Sequence, residues 1–214
     1  MRLRRNPHAK EILMNHPLVD VATNHHKGSW KSRFSNPHNP LNVELGTGKG
    51  QFLAKASSAY PEMNWIGIEK IEEPLVKAVL KGTETENENL RYLWMDILEL
   101  TEVFAEGEVN RFYLHFSDPW PKARHAKRRL TAPSFLNQYK QLLHPDGDLI
   151  LKTDSLSLYE YSLEMFTDNG FEFLASSRDL HHSIYASENI TTEYEEKFAS
   201  RGNPIYYVKV KPCK

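Results

Sequence analysis

The sequence predicts an α/β fold, a three-layer sandwich in which helices cover both faces of a mostly parallel, seven-stranded sheet. Short apolar runs alternate with helical patterns five times from residue 41 onward, and two further apolar runs close the chain. Gly46, Gly48 and Gly50 directly follow the first run, as in a tight turn from a strand into a helix. An acidic residue lies at or just after the end of each of the first four runs.

Each predicted strand is a short apolar stretch, and each predicted helix has apolar residues at helical spacing. The five parallel strands are expected at 41–45, 64–69, 90–95, 111–116 and 149–152, and an antiparallel pair at 171–175 and 205–210. One helix is expected from about Thr131, whose hydroxyl suits an N-cap, with Pro133 in its first turn, and another from about Ser155. Residues 1–40 are polar and rich in His, Asn and Pro, which predicts a mobile or loosely docked arm before a single domain at 41–214.

Composition excludes several classes of protein. A length of 214 residues suits one domain with a single core. No apolar run approaches the roughly 20 residues that span a bilayer, and the basic residues 1–10 precede no apolar stretch, so neither a membrane anchor nor a secretory leader is expected. Cys213 is the single cysteine and cannot form an internal disulfide, which favours a reducing, cytoplasmic location.

The glycine loop selects among nucleotide-type ligands. A P-loop needs Ser or Thr after Gly-Lys, whereas Lys49 is followed by Gly50. A dinucleotide site needs Gly-x-Gly-x-x-Gly, which is one residue longer than the spacing here, and Glu44 would repel a pyrophosphate. A purely structural turn is the alternative for the glycines taken alone.

The four strand-end acids favour a cationic ligand that carries no phosphate. Glu44 suits an amino group, Glu69 suits ribose hydroxyls, and Asp96 suits the amino group of adenine. Taken singly, each acid is more often an ordinary loop residue. Together with the loop, they favour S-adenosylmethionine over NAD.

The stretch Asp118-Pro-Trp-Pro-Lys122 follows the fourth strand and is stiff, because two prolines fix its backbone. Asp118 is expected at the carboxyl edge of the sheet, close to the methyl group of a bound S-adenosylmethionine. We interpret Trp120 as a core residue, with stacking on a nucleic-acid base as the alternative.

The charges are unevenly distributed, although the formal net charge is only −1. Basic residues crowd into 122–129, which indicates either a solvated helix face or a contact with nucleic-acid phosphates. Thr192 and Glu195 have the spacing of a capping box. His181 and His182 are adjacent and would point apart on a strand, and no Cys or acidic pattern completes a metal site, so no metal is expected.

These motifs together resemble the tRNA (guanine-N7-)-methyltransferase family. Asp118-Pro-Trp-Pro-Lys122 with the basic stretch up to Arg129 carries the resemblance, and the loop from Glu44, Lys152-Thr-Asp154 and residues 192–198 are similar to that family as well. The similarity covers the chain from about residue 40 to its end and much of the arm. It implies a Rossmann-like class I S-adenosylmethionine-dependent methyltransferase fold.

The resemblance also implies methylation at N7 of the guanine at position 46, in the variable loop of tRNA. The implied cofactor contacts are Glu44, Glu69, Asp96 and Asp118, beside the loop glycines Gly46, Gly48 and Gly50, with Asp118 also catalytic. The implied substrate contacts are Lys122, Asp154, Thr192, Glu193, Tyr194 and Glu195. The implied RNA contacts are Arg124, His125, Lys127, Arg128 and Arg129.

Elementary chemistry is compatible with this expectation. Guanine N7 has a free lone pair, so catalysis needs mainly in-line placement and a carboxylate beside the ring, a role that suits both Asp118 and Asp154. Three alternatives remain: methylation of an exocyclic base amine, an RNA-binding module without catalysis, and an NAD-dependent oxidoreductase. The apolar helix faces suit both a monomer and a homodimer.

Overall fold

The computed structural model of the chain describes residues 6–21 and 23–213, and within those ranges the strands form a single eight-stranded sheet. In chain order the strands are β1 Val19–Asp20, β2 Leu41–Leu45, β3 Asn64–Glu69, β4 Leu90–Trp94, β5 Val109–His115, β6 Leu143–Thr153, β7 Phe171–Ser177 and β8 Tyr206–Pro212. Their order across the sheet is β1-β4-β3-β2-β5-β6-β8-β7. The pairings are parallel, except that β8 is antiparallel to both β6 and β7.

Helices cover both faces of this sheet. They are α1 Ala9–Asn15, α2 Gln51–Ala59, α3 Glu72–Glu84, α4 Leu100–Val103, α5 Pro133–Leu142, α6 Leu156–Asp168 and α7 Glu193–Ala199. Alternate residues of β5 face opposite ways: Phe112 and Leu114 belong to the core beside α5 and α6, whereas Tyr113 belongs to the core beside α1, α2 and α3. Two apolar cores on either side of one sheet confirm the predicted three-layer sandwich.

The predicted parallel strands and the closing antiparallel pair are confirmed, with ends that shift by a few residues. The largest shift is in β6, which begins at Leu143 rather than 149 because its first residues pair with Val109 before a register shift. The chain reverses direction across the sheet at β2, whose neighbours are β3 and β5. The glycine loop after β2 therefore lies at the topological switch point, where such sheets bind ligands.

The predicted strand number of seven is wrong by one, because β1 comes from the N-terminal arm. Its two residues, Val19 and Asp20, pair in parallel with Tyr92 and Leu93 at the edge of the sheet. A two-residue strand shows no alternation pattern, so the sequence contains no signal for it.

The described part of the arm is also packed more tightly than its polar composition predicts; residues 1–5 and 22 lie outside the described ranges. Ala9 and Leu13 of α1 are fully buried in the core that contains α3. Trp30 is fully buried in the other core, and its indole Nε1 donates to the carbonyl of Val103 at 2.9 Å. A few apolar anchors thus fix a segment whose average composition is that of a loop.

The start of α5 differs from the expectation in one respect. Pro133 occupies the first turn as predicted, but Thr131 does not cap the helix. Its hydroxyl is buried and pairs with the hydroxyl of Ser162 at 2.8 Å, linking α5 to α6. Ser155 does cap α6, since its side chain accepts from the amide of Leu158. Among the described helices, none is long and apolar enough to cross a membrane.

Candidate active site

The loop between β2 and α2 has left-handed backbone at all three glycines, with φ of 77° at Gly46, 56° at Gly48 and 76° at Gly50. This conformation favours glycine. A Cβ at Gly50 would lie 2.6 Å from Ala78 of α3, so only glycine allows the two helices to approach. A Cβ at Gly46 or Gly48 would meet no described atom within 4 Å, so open space lies beside that part of the loop.

Glu44 lies beneath the loop, almost fully buried. The hydroxyl of Thr47 donates to its Oε2 at 2.6 Å, and the Nδ1 of His115 on β5 lies 2.9 Å from its Oε1. Burial raises the pKa of Glu44 to about 8, against the opposing effects of the Thr47 hydrogen bond and the charge of Lys152. Burial, together with the charge of Lys152, holds the pKa of His115 well below its usual range. The carboxyl group of Glu44 therefore needs a nearby cationic ligand to become fully ionised at neutral pH.

Glu69 and Asp96 lie at the ends of the two neighbouring strands. Glu69 is half-buried; its Oε2 accepts from the amide of Gly48 at 3.1 Å, and its Oε1 accepts from the amides of Lys70 and Ile71 at 2.9 Å. Asp96 accepts from the amide of Leu98 at 3.1 Å and lies 3.4 Å from the ammonium of Lys70. Both acids are thus fixed at the carboxyl edge of the sheet, on one side of the glycine loop.

A cavity of about 300 Å³ opens on the other side of the loop. It is lined by the loop glycines, Glu44, Phe52, His115 and Phe116, and by Thr192, Glu193 and Tyr194 at the start of α7. Glu69, Asp96 and Asp118 lie outside this lining. The ring of Tyr194 packs against that of Phe116, with centroids 5.0 Å apart. The glycine loop therefore forms one wall of the cavity, and the first turn of α7 forms another.

The predicted capping box at the start of α7 is confirmed. The hydroxyl of Thr192 accepts from the amide of Glu195 at 2.9 Å, and the carboxylate of Glu195 accepts from the amide of Thr192 at 3.3 Å. Glu195 is fully buried, and Lys152 of β6 donates to its Oε2 at 2.8 Å. The Nε2 of His181 lies 2.9 Å from the Oε1 of Glu195, and the side-chain amide of Asn189 donates to the same oxygen at 2.6 Å.

We name five residues the buried polar cluster: Glu44, His115, Lys152, Thr192 and Glu195. Burial acts to raise the pKa of Glu195, but the charge and hydrogen bond of Lys152 outweigh it and leave that pKa lowered. For Lys152, burial lowers the pKa, although the charge and hydrogen bond of Glu195 act to raise it. Glu195, expected among the substrate contacts, thus has its carboxylate enclosed by protein partners. Thr192 is also buried, whereas Glu193 and Tyr194 are exposed.

Asp118 and Asp154 lie together near Tyr194. Burial raises the pKa of Tyr194, and the negative charges of Asp154 and Asp118 raise it further. Asp118 is exposed and Asp154 is half-buried. Within residues 6–21 and 23–213, no hydrogen bond or ion pair is formed by the carboxylate of Asp118. Two acids and a phenol therefore meet at the edge of the cavity, and Asp118 is the more exposed of the two acids.

Residues 116–129, named the Asp118 loop, hold the basic stretch. Lys122, Arg124, Lys127 and Arg128 are exposed, while His125 and Arg129 are half-buried. The stretch forms a 3₁₀ helix at Ala123–Arg128. The expectation that Trp120 is a core residue is wrong: it is half-buried outside both apolar cores, with the guanidinium of Arg128 4.9 Å from its ring centre.

Comparisons with known proteins show which family this chain resembles. A family model described as "Putative methyltransferase" matches residues 38–208. The tRNA (guanine-N(7)-)-methyltransferase of Lachnoclostridium phytofermentans is 46% identical over 206 residues, 96% of this chain and 96% of that protein. The protein of the same name from Listeria monocytogenes is 47% identical over 99% of this chain and 98% of its own length. This chain belongs to the tRNA (guanine-N7-)-methyltransferase family.

Solved structures show the fold of this methyltransferase independently of close sequence similarity. An rRNA methylase from Streptococcus thermophilus matches with a TM-score of 0.56 at 12% identity, covering 86% of this chain and 92% of that one. The expected Rossmann-like class I methyltransferase fold is confirmed, with eight strands rather than seven.

Two members of the buried polar cluster of this methyltransferase are absent from the site residues that the sequence predicts. His115 directly follows the apolar run 112–114, and Lys152 directly follows the apolar run 149–151. A polar residue at the end of a buried run is the one signal that indicates them. Their partners are distant in sequence: Glu44 is 71 residues from His115, and Glu195 is 43 residues from Lys152.

The adjacent histidines His181 and His182 lie in a 3₁₀ turn rather than on a strand. They contact Glu195 and Asp179, respectively. In the described ranges, no group of three or more His, Cys, Asp or Glu side chains is arranged to hold a metal ion.

Proposed function

We propose that this enzyme transfers a methyl group from S-adenosylmethionine to N7 of the guanine at position 46 in the variable loop of tRNA. The observation that carries the proposal is the position of Tyr194, which lines the cavity beside the glycine loop and also lies next to Asp118 and Asp154. A ligand in the cavity and a base held by the two acids would thus be neighbours. Relatives that carry this activity in their name support the choice of substrate.

The residues around the glycine loop fit S-adenosylmethionine. Glu44 is a buried carboxyl group that a cationic amino group would ionise. The open space beside Gly46 and Gly48 leaves room for a ligand against the backbone, and Glu69 and Asp96 supply fixed acceptors for hydroxyl and amino groups. When bound, this cofactor supplies an electrophilic methyl group on a sulfonium.

The acids near Tyr194 fit a guanine that becomes positively charged. N7 attacks with its own lone pair, so no side chain has to remove a proton first. Positive charge then develops on the guanine ring, and a carboxylate already in place stabilises it without reorganisation. Asp118 has this role in the proposal because its carboxylate is exposed, whereas Asp154 is half-buried. Asp154 accepts hydrogen bonds from the edge of the base, and Tyr194 packs beside it.

The Asp118 loop fits the sugar-phosphate backbone of RNA. Lys122, Arg124, Lys127 and Arg128 are exposed cations close in sequence to the proposed base site. Such cations bind phosphates and set orientation without reading bases. Glu193, with its carboxylate 2.8 Å from the ammonium of Lys49, is assigned to closing the cavity rather than to RNA.

The test uses the full-length enzyme, isotopically labelled S-adenosylmethionine and two unmodified tRNA transcripts that differ only in having guanine or adenine at position 46. Digestion and mass spectrometry then identify the methylated nucleoside. We expect N7-methylguanosine from the first transcript and background from the second.

Other products would overturn specific parts of the proposal. An N6-methyladenosine or N2-methylguanosine product would replace N7 transfer by methylation of an exocyclic amine. Equal labelling of the two transcripts would refute position 46. Calorimetry that detects no binding of S-adenosylmethionine would refute the assignment of the cofactor.

A further inference from the structure

The backbone of the Asp118 loop is held in an unfavourable conformation on both sides of Asp118. Phe116 has a φ of 50° and Trp120 a φ of 41°, although neither is a glycine. Left-handed backbone at bulky residues persists only where the surroundings impose it. Pro119 and Pro121 have no amide hydrogen, so the segment 119–121 lacks two of the backbone donors that could stabilise it.

The side chain of Arg129 supplies hydrogen-bond donors to the backbone of this proline-containing segment. Its Nε donates to the carbonyl of Pro119 and its Nη2 to the carbonyl of Trp120, both at 3.0 Å. Its guanidinium also lies 4.2 Å from the ring centre of Tyr161 on α6. The planar fork of arginine matches two adjacent carbonyls, whereas a lysine ammonium is a point donor. One side chain therefore ties the strained part of the loop to a helix of the core.

Its neighbour Arg128 has different surroundings. Arg128 is exposed, and its guanidinium lies over the ring of Trp120. Within residues 6–21 and 23–213, its side chain forms no hydrogen bond or ion pair. Arg128 is therefore free to bind a phosphate, while the hydrogen bonds of Arg129 are directed into the loop.

We propose that Arg129 is a positioning residue, which holds the Asp118 loop in the conformation that presents Asp118, and that it does not bind RNA phosphate. The proposal rests on the proposed function for its kinetic readout. It separates two arginines that are adjacent in sequence and that the sequence assigns to a single RNA-binding stretch.

The first experiment compares Arg129→Lys with the matched control Arg178→Lys, since both variants keep the positive charge. Arg178 is exposed and also lies over a tyrosine ring of α6, that of Tyr159, but it is outside the proposed site. For Arg129→Lys we expect kcat to fall at least about tenfold while the KM for tRNA stays within about twofold, because orientation of Asp118 is lost but charge is kept. For Arg178→Lys we expect kcat within about twofold of wild type. Wild-type kcat in a folded Arg129→Lys variant would overturn the proposal.

The second experiment measures the salt dependence of tRNA binding for Arg128→Ala and Arg129→Ala. Loss of one phosphate contact should lower the slope of log K against log salt by about 0.7–0.9. We expect that decrease for Arg128→Ala and an unchanged slope for Arg129→Ala. An equal decrease for both variants would show that Arg129 also contacts RNA phosphate and would overturn the proposal.

A third readout needs no activity and so separates this inference from the proposed function. Amide hydrogen exchange in a peptide that covers residues 116–122 should be faster in Arg129→Lys than in wild type, and unchanged in Arg178→Lys. If Arg129→Lys does not fold, Tyr161→Leu removes the stacking contact and should accelerate the same exchange. Unchanged exchange in the folded variants would overturn the positioning role even if the wild-type enzyme does not methylate tRNA.

Discussion

The buried polar cluster and the Asp118 loop both place acids at the site, but in opposite surroundings. Glu195 is fully buried, and each of its carboxylate oxygens has protein partners. Asp118 is exposed, and its carboxylate forms no hydrogen bond or ion pair within residues 6–21 and 23–213. An acid surrounded by protein donors fixes the backbone around it, whereas an acid without such donors remains available to a ligand. The comparison separates residues that build the site from residues that act in it.

The largest effect should come from breaking the buried pair. Lys152→Met leaves Glu195 buried without its cation, so we expect the free energy of unfolding to fall by about 3–5 kcal/mol. Chemical denaturation monitored by circular dichroism measures it. Adding Glu195→Gln to that variant should recover part of the loss, and a loss below about 1 kcal/mol would show that Lys152 and Glu195 do not act as a buried pair.

At the exposed acid, Asp118, we expect a loss of activity with little loss of stability. Asp118→Ala should lower kcat by about 10²–10³-fold, since the proposed function assigns this carboxylate to the stabilisation of the charge that develops on guanine. Stability should change little, because the side chain is exposed. Single-turnover methylation and chemical denaturation measure the two consequences. Retained activity would refute the acting role of Asp118.

Glu44 belongs to the buried polar cluster but should attract a cationic ligand through its charge. The affinity for that ligand should therefore depend on pH. With a pKa of about 8, Glu44 is largely protonated at neutral pH, and a cationic ligand favours its ionised form. The affinity for S-adenosylmethionine should therefore rise with pH and level off above about pH 8, with a change of up to about tenfold per pH unit below that value. The ratio of wild-type to Glu44→Gln affinities, measured by calorimetry from about pH 6 to about pH 9, removes the titration of the ligand itself. A constant ratio would contradict the raised pKa.

The smallest effect should come from an exposed pair at the start of α7. The ammonium of Lys49 lies 2.8 Å from the carboxylate of Glu193, but both side chains are nearly half exposed. Lys49→Met should therefore change the free energy of unfolding by less than about 1 kcal/mol. The same denaturation assay serves as a matched comparison with Lys152→Met. A loss as large as that of Lys152→Met would remove the distinction between buried and exposed pairs.

The sequence by itself determined the sheet from β2 onward, the glycine loop and the strand-end acids, because these depend on short-range patterns of apolar residues and turns. It also determined the capping box, since Thr192 and Glu195 are three residues apart. Only the tertiary structure decided which polar residues are buried together. His115 reaches Glu44 and Lys152 reaches Glu195 because neighbouring strands and α7 bring distant segments into contact. The docking of Trp30 and the different directions of Arg128 and Arg129 likewise depend on packing, which no local pattern records.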